Sequence, residues 1–232
     1  GKAPITVKWV DVSNGDDLEP NYRSRLVARE IRRKGEDSIF TPTPPLEALR
    51  TVFMLAATPN LWISPGSADE EKNRMQLSFV GISSAYFNAH TTDENPVYVE
   101  LPPEDPDFGT GLCGRLNVHM YGTRRAADGW HCEYSDALQS LGLEPGQASA
   151  CVFVHKAKHL VMSVHGDDFT NAGPKTSIDW FVSKLRERYE LKESARIGGH
   201  AKDSKEARVL NRIVRWTDSG LEYEADPRQA EK

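Results

Sequence analysis

The sequence predicts an α+β fold, an antiparallel sheet with helices packed on one face. Three observations predict it. Short β-type runs come in pairs around turn-forming residues, as hairpins do. Three segments carry apolar residues at helical spacing. Strands and helices interleave without the strict βαβ alternation of a parallel sheet. At 232 residues the chain suits one large domain or two small ones.

Val7 to Val12 reads as a strand, Asn14-Gly15-Asp16-Asp17 as a turn, and Tyr22 to Ile31 as the return strand of a hairpin. Arg23 and Arg25 lie two apart and share a face of that strand. Lys34-Gly35-Glu36-Asp37 closes the unit. Pro44-Pro45 opens a helix carrying Leu46, Leu49, Val52, Phe53 and Ala56, and Pro59 stops it. Residues 59–73 read as a polar loop, the most dispensable stretch. Met75 to Ile82 is apolar enough for a buried strand, and Ser83 to Asn88 turns into a short helix or loop. Pro96 to Leu101 places Val97, Val99 and Leu101 on one strand face. A Pro, Gly and Asp loop follows to Gly111, then a strand from Leu112 to Val118. Arg124 to Leu141 is the second helix, with Ala126, Trp130, Tyr134, Leu138 and Leu141 on one side and Gly142 as its stop. Cys151 to His155 and Leu160 to Val164 form a hairpin. Ile178, Phe181, Val182, Leu185 and Tyr189 mark the third helix. Ala207 to Trp216 and Leu221 to Glu224 make a closing hairpin around Asp218-Ser219-Gly220.

Composition narrows the function classes. Apolar residues are 38% and charged residues 27% of the chain, which suits a soluble folded protein. No apolar run approaches the roughly 20 residues of a membrane span. The start at Gly1 reads as the mark of a fragment or processed product. Cys113, Cys132 and Cys151 lie far apart and suggest small core residues, not a disulfide framework or a zinc cluster. That fits an intracellular setting, cytoplasmic or nuclear. Trp130 and Trp180 fall on apolar helix faces and read as core anchors. The net charge of −5 does not mark a nucleic-acid binder. Within it, Arg23, Arg25, Arg29, Arg32, Arg33 and Lys34 form a basic strip opposed mainly by Glu30. Such a strip suits either phosphates or acidic loops.

Asp167 and Asp168 carry the most chemistry. They follow the apolar run from Leu160 to Val164 and sit at a turn before Phe169. Adjacent carboxylates repel unless a cation holds them. Mg²⁺ takes one or two carboxylates plus substrate phosphates. By itself the dipeptide fits a solvated hairpin turn better than a metal site.

The ordered motifs of the chain resemble those of the reverse transcriptases of copia-type retrotransposons. Tyr22-Arg-Ser-Arg-Leu-Val-Ala-Arg29 resembles the family's opening fingers strand. Phe40-Thr-Pro-Thr-Pro44 and the helix after it resemble its Phe-x-Pro segment. Ser83 to Ala89 resembles the tail of the first catalytic motif, Asp-x-x-x-Ala-Phe/Tyr-Leu/Phe-Asn-Gly. Val97-Tyr-Val-Glu-Leu-Pro102 resembles the strand that follows. Leu116 to Trp130, centred on Met120-Tyr-Gly122, resembles the Leu-Tyr-Gly-Leu-Lys-Gln-Ala-Pro-Arg-x-Trp segment. Val164-His-Gly-Asp-Asp168 resembles the Tyr-Val-Asp-Asp metal motif.

The resemblance implies a right-hand polymerase fold, with residues 1–73 as a fingers-like part and 74–232 as a palm-like part. The family's thumb and ribonuclease H are expected to be absent. It implies nucleotidyl transfer from a dNTP to a primer on an RNA or DNA template, with two Mg²⁺ (or Mn²⁺) ions. Asp167 and Asp168 become metal-binding catalytic residues. Arg23 and Arg25 become triphosphate contacts, and Tyr86 the aromatic residue beneath the sugar. Tyr121 and Gly122 lie against the nascent base pair. Lys192 approaches the leaving phosphates, although a solvated surface lysine is the simpler reading of that residue. His165 and Gly166 stand where the family carries Tyr and a larger apolar residue. Arg124-Arg125-Ala126-Ala127 replaces Lys-Gln-Ala-Pro.

One departure outweighs the others. The family's third carboxylate bridges both metals, and counting back from Ala85-Tyr86 places it at Gly81. No Asp or Glu lies between Glu71 and Asp93. Polymerisation is therefore expected to be lost or nearly lost. Two alternatives stand beside the impaired polymerase: a non-catalytic nucleic-acid-binding relic or co-opted palm, and a small metal-binding α+β domain unrelated to polymerisation.

Overall fold

The computed structural model describes residues 3–13, 15, 18–31, 39, 41–58, 74–210 and 212–225. The expected turn residues Asn14, Asp16 and Asp17, the basic residues Arg32, Arg33 and Lys34, Phe40, and the loop 59–73 lie outside them. The chain divides into two units. One comprises Gly1–Thr41 and Ser84–Tyr134, the other Pro42–Ser83 and Ser135–Lys232.

In the first unit β1 (Val7–Ser13) and β2 (Tyr22–Ala28) form the expected antiparallel hairpin. β2 stops short of Ile31. At its end the other edge of the backbone finds further partners: the Ala28 and Glu30 N–H groups donate to the Tyr121 and Gly122 carbonyls at 2.8 and 3.2 Å. Val7, Leu26 and Ala28 pack with Val99 and Met120. β4 (Tyr98–Glu100) and β5 (Cys113–Arg115) pair antiparallel. Both are shorter than the runs 96–101 and 112–118. Past Arg115 the ladder gives way to scattered ties: the Leu116 N–H donates to the Val97 carbonyl at 2.9 Å, the Asn117 carbonyl accepts from the Thr91 N–H at 3.0 Å, and Val118 bridges to His90.

In the second unit a six-stranded antiparallel sheet runs in the order β10-β3-β9-β8-β7-β6. Its strands are β3 (Met75–Ile82), β6 (Glu144–Pro145), β7 (Val152–His155), β8 (Leu160–His165), β9 (Asp168–Pro174) and β10 (Leu191–Gly198). The central strands β3, β8 and β9 are buried along nearly their whole length. A strand buried on both faces needs cover on both.

The cover contradicts the single helical layer. Leu49, Val52, Phe53 and Ala56 of α1 (Leu46–Ala57) pack on Leu77, Phe79, Val161 and Ala172. The helix α3 (Lys175–Arg186) lies on the other face. Its Asp179 pairs with Arg196, which stands opposite Ser78, and Ser78 points away from Leu77 and Phe79. The run 207–216 is likewise two strands. β11 (Glu206–Val209) and β12 (Arg212–Thr217) pair around Leu210, which takes a φ of +48°. With β13 (Gly220–Tyr223) they form a three-stranded sheet on the α1 side.

The helix α2 (Ala126–Ser140) has residues Ala126–Tyr134 in the first unit and Ser135–Ser140 in the second. Its end is a Schellman closure. Gly142 at φ +87° donates to Gln139, and Leu143 to Leu138, satisfying carbonyls the helix leaves open.

Candidate active site

The acidic doublet stands on a two-residue hairpin loop. His165 pairs with Asp168, leaving Gly166 and Asp167 between β8 and β9. Gly166 has a φ of +63°, while Asp167 is not in the positive-φ region. That is the pattern of a type II′ turn, whose first central position favours glycine. No atom crowds the place of a Gly166 side chain, so the backbone angle explains this glycine. His165 is exposed at the base of the loop, with Gly166, Asp167 and Asp168 beside it.

Burial pushes the Asp168 carboxyl above the usual carboxylate range. The neighbouring Asp167 charge pushes the same way, and His165 opposes it. An acidic pair held by protein alone has this electrostatic cost, which a cation would relieve.

Gly81 lies directly across from the doublet. In β3 it pairs with Asp168 of β9, and the Ile82 N–H donates to the Asp167 carbonyl at 2.9 Å. A Cβ built on Gly81 would stand 3.4 Å from Asp168 Oδ1, ordinary van der Waals contact. Position 81 therefore has room for a side chain, and a carboxylate there would reach its neighbour's.

On the other side of β3, Lys192 of β10 pairs with Gly81. Lys192, Gly81 and Asp168 thus form one row across three strands, on one face of the sheet. This strand is absent from the sequence reading, which leaves Lys192 after a helix. The alternation of Leu191, Ala195 and Ile197 with polar residues carries a strand signal, interrupted by one irregularity.

The remaining candidates gather in the first unit. The Arg25 guanidinium lies 5.6 Å from the Tyr121 ring centre. Tyr86 lies 4.5 Å from that ring and Phe87 5.6 Å. Arg23 shares the strand face of Arg25, is exposed, and pairs with Val12. Of the two arginines, Arg25 is the one on the aromatic cluster. Gly122 has a φ of +86°, and a Cβ there would fall 1.9 Å from the Ala28 carbonyl oxygen. Only glycine lets β2 dock on Tyr121 in this way. Phe87 joins this cluster although it is not among the candidates read from sequence. A one-residue step on a tight 3₁₀ turn (Ala85–Asn88) brings Tyr86 and Phe87 to one ring.

The donors near the doublet suit one divalent cation completed by substrate phosphates. They do not suit a bridged pair. Among the described residues no three His, Cys, Asp or Glu side chains gather as a metal site. No helix among them is long and apolar enough to cross a membrane.

The chain matches the family described as reverse transcriptase (RNA-dependent DNA polymerase) over residues 1–200. It is also similar to the Retrovirus-related Pol polyprotein from transposon TNT 1-94 of Nicotiana tabacum, with 22% identity over 195 residues. That similarity covers 80% of this chain and 13% of the relative, so the chain spans a small part of that polyprotein's length.

Proposed function

The chain belongs to the reverse transcriptase (RNA-dependent DNA polymerase) family of copia-type retrotransposon Pol polyproteins, and on that premise we propose that it is a palm and fingers built for nucleotidyl transfer but impaired at the metal site. The observation that carries this reading is the pairing of Gly81 with Asp168, with room for a side chain 3.4 Å from Oδ1. A third carboxylate placed there would complete the donor set that two-metal transfer needs. Glycine supplies neither charge nor ligand.

In this reading Asp167 and Asp168 hold one Mg²⁺ or Mn²⁺ ion, which would supply positive charge to a bound triphosphate. Arg25, whose guanidinium lies over the Tyr121 ring, offers two-pronged contact to phosphate. Tyr86 and Phe87 pack against the same ring. Gly122 holds the strand bearing Arg25 against Tyr121. Lys192 extends the row of Asp168 with positive charge. Template, primer and dNTP are the proposed partners. A non-catalytic nucleic-acid-binding role is the second reading, favoured by the combination of Gly81 with an assembled Arg25–Tyr121 pair.

Primer extension on an RNA template with Mg²⁺ separates the two. The impaired-polymerase reading expects traces of extension from the natural chain and a clear gain from Gly81→Asp. Salt-sensitive duplex binding without gain in extension supports the second reading. Neither activity overturns both.

A further inference from the structure

β10 carries an irregularity next to the site. Glu193 pairs with Val80 and Ala195 with Phe79, so Ser194 is an extra, bulged residue. Its Oγ donates to the Phe79 carbonyl at 3.2 Å. A bulge changes which residues of a strand face which way. In an unbroken β10, counting back from Ala195, Glu193 would stand opposite Gly81. With the bulge, Lys192 does. One residue of register thus decides whether a cation or an anion shares the row of Asp168.

Glu193 is fixed on the opposite face. Its Oε1 accepts from Ser78 Oγ at 2.8 Å and from Arg196 Nε at 2.6 Å. Arg196 also bonds Asp179 of α3, whose carboxylate accepts from Lys175 Nζ at 2.6 Å. The Glu193 and Arg196 side chains are only 19% and 22% exposed. A one-residue slip would break this chain of bonds and add a third carboxylate charge beside Asp167 and Asp168 without a cation to hold it.

We propose that Glu193 is a positioning residue: its bonds to Ser78 and Arg196 lock β10 in the register that presents the Lys192 amine on the face of Asp168. The role rests on reading that row as the polyphosphate end of a polymerase site. There an amine attracts the anionic triphosphate and a carboxylate repels it. The bulge at Ser194 makes the alternative register geometrically available, and the Glu193 bonds select against it.

Cross-strand disulfide trapping tests this in the full chain, with the exposed Cys113 and Cys132 replaced by Ser. Cysteines introduced by Gly81→Cys and Lys192→Cys face each other across one antiparallel pair, within the Cα range of a disulfide. Mild oxidation should link them readily. Adding Ser78→Ala and Arg196→Met releases Glu193 without altering it, and should slow linkage by about tenfold or more. Glu193→Gln keeps the Ser78 bond and should fall between. Arg196→Lys, which keeps the charge, should restore most of the rate. Linkage unchanged by these substitutions, with cooperative melts retained, overturns the proposal. So does failure of the pair to link while Glu193 is held. If the Ser78→Ala, Arg196→Met background does not melt cooperatively, Glu193→Gln decides alone. No polymerisation enters this assay. A failed extension test would therefore count against the polymerase reading while the register result stands, and the converse also holds.

Discussion

Replacing Gly81 by Asp should make the stability of the chain depend on Mg²⁺. The new Cβ would lie 3.4 Å from Asp168 Oδ1, so the two carboxylates come within about 4 Å of each other. At that distance the repulsion of like charges lies between about 1 kcal/mol in bulk water and about 4 kcal/mol at a protein surface. Asp168 is only partly withdrawn from solvent, which favours the lower half of that range. Its carboxyl already ionises less readily than usual, from burial and from the Asp167 charge, so a third acidic group adds to an existing cost. Without divalent cation the variant should melt several degrees below the natural chain, at roughly 2–4 °C per kcal/mol for a chain of this length. Millimolar Mg²⁺ should recover that loss, because an ion that binds only the folded state stabilises it in proportion to ln(1 + [L]/Kd). The natural chain should respond weakly. Differential scanning calorimetry with EDTA and with Mg²⁺ gives all four numbers. Equal Mg²⁺ responses from the two proteins would refute the reasoning, since they would mean that position 81 does not address the cation site.

The remaining predictions concern the same residues and their supports. Asp168→Asn removes a carboxylate whose ionisation is opposed by partial burial and by the Asp167 charge, and should raise the urea midpoint slightly at neutral pH without divalent cation. Asp203 accepts from Arg74 and Gln76 at 2.8 and 2.7 Å with only 4% of its side chain exposed, so Asp203→Asn should cost about 3 kcal/mol by removing the buried carboxylate charge that faces Arg74. For Asp203 and Asp179, burial raises the pKa, but the hydrogen bonds and charges of Arg74, Gln76 and the His200 N–H, and of Lys175 and Arg196, outweigh it and hold both low. Their contribution to stability is complete above about pH 3.9 and is lost as pH falls through the lower folded values, which a urea midpoint series from about pH 6 to about pH 2.5 would register. Gly122→Ala forces a Cβ onto the Ala28 carbonyl at a φ of +86° and should destabilise the first unit by about 2 kcal/mol or more, with altered Tyr fluorescence as Arg25 leaves Tyr121.

The parts of the fold legible in sequence were those written in local patterns. Met75–Ile82 emerges with the expected bounds because its apolar run has one interpretation once turns flank it. The hairpin β1–β2 and the helix stop at Gly142 follow from turn residues and a positive φ. What local pattern cannot encode is which strands become neighbours. β10 sits at the sheet edge beside β3, more than a hundred residues earlier in the chain, and its bulge interrupts the alternation that would announce it. Lys192 therefore reads as an ordinary surface residue until the pairing with Gly81 is known. The helices tell a similar story. Each shows an apolar stripe, but the side of the sheet it covers depends on the connections, and α1 and α3 take opposite sides. Gly81 itself was legible as a departure from a motif. Its position across from Asp168 depends on the antiparallel register of β3 and β9.

Manganese titration followed by electron paramagnetic resonance tests the central claim most directly. With primer–template and a non-hydrolysable nucleotide present, the natural chain should hold at most one tightly bound Mn²⁺ at Asp167 and Asp168, and Gly81→Asp should show the exchange-broadened signal of a second ion beside it. A coupled pair of Mn²⁺ ions already present in the natural chain would contradict the claim that position 81 leaves the site one carboxylate short.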